Sequence, residues 1–93
     1  MIFTNRRTTA DDTGYAAMAA RMEELARSRP GFVDIESVRG ADRVGITVSY
    51  WDGPDAAASW KADAEHLVAQ RLGAERWYEW YRTRVGWVDA RDA

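Results

Sequence analysis

Phe32-Val33-Asp34-Ile35-Glu36-Ser37-Val38-Arg39-Gly40-Ala41-Asp42-Arg43-Val44-Gly45-Ile46-Thr47-Val48-Ser49-Tyr50-Trp51 is the stretch on which the fold turns. Its first half alternates, with Phe32, Asp34, Glu36 and Val38 on one side and Val33, Ile35 and Ser37 on the other, which is the period of a strand exposed on two faces. Gly40-Ala41-Asp42 is a turn signal. The second half alternates again: Val44, Ile46, Val48 and Tyr50 share one face, and Gly45, Thr47, Ser49 and Trp51 share the other. Two alternating runs joined by a short polar turn read as a hairpin.

Upstream, Ile2 to Thr8 alternates and is rich in β-formers, so it reads as a first strand with Asn5 and Arg7 facing away from Thr4 and Arg6. Asp11-Asp12-Thr13 supplies N-cap candidates for a helix. In that helix Tyr15, Met18, Met22 and Leu25 recur at spacings of three and four residues, up to Pro30-Gly31. Downstream, Asp52-Gly53-Pro54 stops the hairpin and starts a second helix, because a capping side chain precedes a proline whose φ suits a first turn. An alanine-rich helix is expected from Asp55 to about Glu75, bent near Asp63, with His66, Gln70, Gly73 and Trp77 on one face. Tyr78 to Val88 reads as a last strand.

The order β-α-β-β-α-β maps onto a ferredoxin-like α+β sandwich, an antiparallel sheet with two helices on one face. The other face then carries large alternating residues, Phe32, Ile46 and Trp87 among them, and pairing of two such sheets into a homodimer is the expected cover. Residues 1–93 are read as one domain, with 89–93 as a loose tail. A chain of this length buries only roughly 60–65% of its unfolded surface, which also favours a partner subunit.

Composition narrows the function. Thirteen basic against fifteen acidic residues give a net charge of −2, with no general attraction for nucleic acid or anionic lipid. Cysteine is absent, which excludes disulfides and thiolate chemistry, and a single histidine argues against a self-contained metal site. The opening Met1–Arg7 carries no long apolar h-region, and no run approaches the roughly eighteen apolar residues of a membrane span, so a cytoplasmic protein is expected. Four of the five tryptophans and the one histidine fall between Ser49 and Tyr81, an aromatic density that points to a lined cavity.

The strand Ile2-Phe3-Thr4-Asn5-Arg6-Arg7-Thr8, the Arg29-Pro30-Gly31-Phe32 turn, and Ser49-Tyr50-Trp51-Asp52 followed by Trp60-Lys61 form an ordered set. Glu65-His66, Ala69-Gln70-Arg71, Trp77-Tyr78 and Arg84-Val85 extend it over nearly the whole chain. This set resembles the antibiotic biosynthesis monooxygenase family. The resemblance implies a homodimeric α+β barrel with a pocket in each subunit between sheet and helices. It also implies oxidation of aromatic phenols or hydroquinones by dioxygen without flavin or metal, or, in a related branch, degradation of haem.

Cofactor-free oxygenation has physical demands. Dioxygen does not react directly with closed-shell organic molecules, so the substrate must become an electron-rich anion in an apolar pocket that holds a flat ring and places donors near its oxygen. On this reading Trp51 and Trp60 supply walls, with Met22 and Gln70 beside them, Asn5 is a donor, and His66 a base. Arg6 or Arg7, whichever points inward, holds the anion. Each also has a packing or solvated role to weigh against this: Trp77 and Trp80 belong more naturally to core or interface, and His66 beside Glu65 suits an exposed helix face. The haem branch matches at Asn5 and Trp60 but carries an axial histidine where this chain has Gln70, a poor iron ligand beside imidazole. A non-catalytic small-molecule-binding dimer is the third reading.

Overall fold

The computed structural model describes residues 1–70 and 73–89, apart from the side chains of residues 69, 70, 73 and 74. The elements are β1 (Ile2–Arg7), α1 (Asp12–Ser28), β2 (Phe32–Arg39), β3 (Val44–Trp51), α2 (Pro54–Gln70), the single turn α3 (Gly73–Arg76) and β4 (Tyr78–Arg84). The strands form one antiparallel sheet in the order β2-β3-β1-β4, the ferredoxin-like arrangement expected. Among the described residues, no helix is long and apolar enough to cross a membrane.

Local chemistry fixes the boundaries. Asp11 takes a left-handed conformation (φ 53°) that a short polar side chain tolerates, and its carboxylate accepts the Gly14 N–H at 3.2 Å to cap α1. The hairpin closes through Gly40 N to Val44 O at 2.9 Å and Arg43 N to Gly40 O at 3.0 Å. Arg43 holds the left-handed position there (φ 67°), and its Nε donates to Arg7 O at 3.0 Å, tying the turn to β1. Gly31 (φ 85°) turns α1 into β2, where a β-carbon would stand 2.6 Å from Asp52 Oδ1 and 2.7 Å from Ala56 Cβ.

Both helices cover one face of the sheet through two apolar clusters. One joins Met18, Val68, Trp77 and Tyr78, with Phe3, Tyr15 and Met22 packed against it; the other joins Ala26, Trp60 and Ala64, with Phe32, Ile35 and Trp51 alongside. On α2, Glu65 takes Lys61 Nζ at 2.8 Å and the Thr83 hydroxyl at 3.1 Å, which fastens the helix to β4.

The sequence pattern misplaces three features. A bulge at Val33 breaks the alternation of β2, because the pairing passes from Phe32↔Trp51 to Asp34↔Tyr50. Phe32 is therefore on the helix-covered face, edge-on to Trp51 with centroids 5.7 Å apart, rather than on the open one. β4 ends at Arg84, so Trp87 lies beyond the sheet and is 82% exposed. α2 ends at Gln70 and Trp77 is non-helical; the intervening residues 71 and 72, and residues 90–93 of the expected tail, lie outside the described residues.

Candidate functional site

A cavity of about 540 Å³ opens between α1 and the helix-covered face of the sheet. It exists because of what α1 presents there. Ala16, Ala19 and Ala20 are too short to reach the strands, while Met18 and Met22 flank the gap. Phe3, Ile35, Thr47 and Ser49 form the floor, and Trp60 and Tyr78 close the far walls. A volume of this order is that of a ligand pocket for a small planar molecule.

The guanidinium and the tyrosine hydroxyls of the lining meet at one edge, while the Glu23 carboxylate, which also lines the cavity, is paired with Arg27 at 2.9 Å. Arg39 Nη2 donates to the Tyr15 hydroxyl at 2.9 Å, and Arg39 Nη1 donates to the Arg43 carbonyl at 2.6 Å. The Tyr15 ring stands edge-on to Tyr78 at 5.9 Å, and its face carries the Arg7 guanidinium carbon at 3.9 Å from the centroid. Burial, and then the neighbouring Tyr15 hydroxyl, push the Tyr78 phenol far above its ordinary range, against the smaller opposing pull of Arg39 and Arg7. Tyr78 is consequently a neutral hydroxyl at all physiological pH values. Ser37 and Thr47, also lining the cavity, share a hydroxyl hydrogen bond of 2.7 Å.

The residues expected from the sequence separate in space. Trp60, 3% exposed, and Met22 line the cavity. Trp51 stacks on Trp60 with centroids 5.7 Å apart at 27° and lies behind it in the second apolar cluster. Asn5 is 1% exposed on the helix-covered face, between Gly45 and Tyr81 in the pairing register, and its Oδ1 has no hydrogen-bond partner; it does not reach the cavity lining.

Arg7 is the inward member of the arginine pair, but its donors are committed: to Asp12 Oδ1 at 2.7 Å, to the Trp77 carbonyl at 3.1 Å and to the Ala10 carbonyl at 3.3 Å. Arg6 points to the open face, with Nε 3.2 Å from Glu79 Oε2 in an ion pair that lacks hydrogen-bond alignment. His66 is exposed on α2 and does not line the cavity, because the face that α2 turns to the sheet is set by Ala57, Trp60, Ala64 and Val68. The side chain of Gln70 lies outside the described residues. Trp77 is a packing residue whose Nε1 donates to Asp11 Oδ2 at 3.2 Å.

Arg39 and Tyr78 carry the polar chemistry of the cavity and do not stand out from the sequence; Tyr15 reads there only as core. A signal was available for Arg39, which falls opposite Gly45 once the hairpin register is drawn. Among the described residues, no group of three or more His, Asp or Glu side chains is placed to hold a metal ion.

This antiparallel α+β sheet with helices over one face is a fold shared with solved structures of other proteins. It is similar to SnoaB, a cofactor-independent oxygenase from Streptomyces nogalater, at a TM-score of 0.65 and 21% identity, covering 98% of this chain and 96% of that one. It is likewise similar to PA3566 from Pseudomonas aeruginosa, at a TM-score of 0.66 and 12% identity over 87% of this chain and 83% of the other. No family model matches the sequence. The chain belongs to the family of the uncharacterized Bacillus subtilis protein YqjZ, with which it is 52% identical over 79 residues, 85% of this chain and 69% of that protein.

Proposed function

We propose that the cavity binds a planar aromatic phenol or hydroquinone and that the protein oxygenates it with dioxygen, using neither flavin nor metal. The observation that carries this reading is the shape and chemistry of the cavity, whose apolar walls of Phe3, Met18, Met22 and Trp60 meet one polar edge at Tyr15, Tyr78 and Arg39. The likeness to SnoaB, itself a cofactor-independent oxygenase, supports it.

The lining offers hydrogen-bond donors rather than a histidine base, so the chain's part is to favour the substrate's anion. A guanidinium and tyrosine hydroxyls that donate hydrogen bonds stabilise the phenolate of a bound phenol and so lower its pKa, and its proton leaves to solvent. The anion then gives one electron to dioxygen; the carbon radical and superoxide combine to a peroxide. At an activated methylene carbon the peroxide breaks its O–O bond and the carbon loses its remaining hydrogen as a proton. One methylene and one dioxygen thereby become one carbonyl and one water. The buried inner end of the cavity, walled by Met18, Trp60 and Tyr78, is where the radical pair is kept from bulk water. On this reading Trp60, Met22, Tyr15, Tyr78 and Arg39 form the site, Asn5 stands behind it with a free acceptor, and His66 and Arg6 take no part.

The working unit of this reading is a homodimer. The open face of the sheet leaves Ile2, Ile46 and Trp80 about two-fifths exposed on β1, β3 and β4, interleaved in the pairing register with Arg6, Arg82 and Arg84, a surface that a second copy covers. Oxygen uptake by flavin- and metal-free protein with a panel of dihydroxynaphthalenes and anthrones tests the reading. Uptake above the uncatalysed rate, lost in Trp60→Ala and kept in His66→Ala, is expected. Wild-type uptake at the uncatalysed rate throughout the panel would contradict it.

A further inference from the structure

We propose that Arg39, seated on Gly45, is the anion anchor of the cavity, so that the ligand is a planar aromatic carrying an ionised oxygen substituent at one edge. This deepens the proposed function and rests on the cavity it uses.

Arg39 is the last residue of β2 and pairs directly with Gly45 across the hairpin. A β-carbon on Gly45 would stand 2.5 Å from Arg39 Cζ, 2.6 Å from Nη2 and 2.7 Å from Nη1. The guanidinium thus lies flat on the bare backbone of β3. Gly45 has no left-handed φ to explain it, so its service is steric: it is the seat that lets the guanidinium reach the cavity.

Two bonds hold the group in place, one to the Arg43 carbonyl and one to the Tyr15 hydroxyl, which leaves three of the five guanidinium N–H donors unused. Its charge is also uncompensated. Arg6, Arg7, Arg21, Arg27, Arg29, Arg43, Lys61 and Arg76 each have a carboxylate within ion-pair distance, whereas none of the described residues places one at Arg39. A fixed, unpaired cation with spare donors at the edge of an apolar cavity selects a flat molecule with a carboxylate or phenolate on its rim.

The test uses two isosteric probes that no oxygenase step consumes, 2-naphthoate and 2-naphthamide, titrated calorimetrically at pH 7. Wild type is expected to bind the naphthoate about tenfold more tightly than the amide, the scale of one charge-assisted contact at a half-open site, and the preference shrinks as salt is raised. Arg39→Gln abolishes the preference while changing naphthamide affinity less than about twofold. Gly45→Ala also abolishes it although Arg39 is still present, and Arg39→Lys keeps part of it; melting curves confirm that each variant folds.

Equal affinity of wild type for the two probes, or a preference that survives both Arg39→Gln and Gly45→Ala, overturns the anchor and leaves the cavity reading standing. Binding of neither probe overturns both. A naphthoate preference without oxygen uptake on any phenol sinks the oxygenase reading alone.

Discussion

Replacing Tyr78 with phenylalanine separates the packing of this ring from its hydroxyl. The ring is 4% exposed and edge-on to both Phe3, at 5.5 Å, and Tyr15, at 5.9 Å, and those contacts survive the change. At pH 7 the loss is the polar contact of the Tyr78 hydroxyl with that of Tyr15, about 1 kcal/mol, while Tyr15 keeps its bond from Arg39. In a domain of this size that lowers the melting temperature by about 4–8 °C. At high pH the comparison reverses.

Burial and the Tyr15 hydroxyl raise the phenol's pKa in the native state, whereas the unfolded chain releases the proton near pH ~10. A raised value contributes stability that is complete below the unfolded value and is lost as pH climbs toward the folded one. Wild type therefore loses about 1.4 kcal/mol per pH unit above ~10 from this residue, and Tyr78→Phe does not. By pH ~11 the deficit of the variant is cancelled, and by ~11.5 it is the more stable protein. Urea titrations followed by tryptophan fluorescence at pH 7, 10 and 11 measure this. Parallel loss of stability in both proteins would refute the buried, proton-retaining Tyr78.

Other consequences follow from the same contacts. Trp60→Ala removes a ring that stacks on Trp51 and walls the cavity, so urea titration should show a loss of about 3–5 kcal/mol together with loss of ligand binding. Asp11 is held below its usual range by the Trp77 indole first and then by the Gly14 amide. Its contribution is present above pH ~4 and lost as pH falls through the folded value, so Asp11→Asn should show a shallower acid limb in pH-dependent melts. His66→Ala, on an exposed helix face, should leave melting temperature and phenol affinity unchanged in parallel thermal and calorimetric runs.

The hairpin, the two amphipathic helices and their order were legible because period-2 and period-3.6 patterns are written directly in side-chain polarity. Phe32 was misplaced because a single extra residue, Val33, inverts the alternation, and that insertion shows only when the two strands are paired. Trp51 and Trp60 both read as cavity walls, since a list of aromatics does not say that one is stacked behind the other. His66 attracted attention as the one imidazole, yet helical spacing gives it a face only relative to the apolar stripe of Trp60, Ala64 and Val68. A cavity was expected, but its position and lining were the least legible feature. It depends on short alanines of α1 facing the strands, and an absence of atoms leaves no mark in composition.

The three methionines, Met1, Met18 and Met22, are all that the chain has, and each lines the cavity. Carbon-13 labelling of their methyl groups therefore places reporters in the proposed site and nowhere else. On anaerobic titration with 1,4-dihydroxynaphthalene, the Met18 and Met22 resonances should move saturably, with one dissociation constant shared by both. If a hydroquinone binds by calorimetry while those methyls stay fixed, the cavity beneath α1 is not the ligand site and the proposed function fails with it.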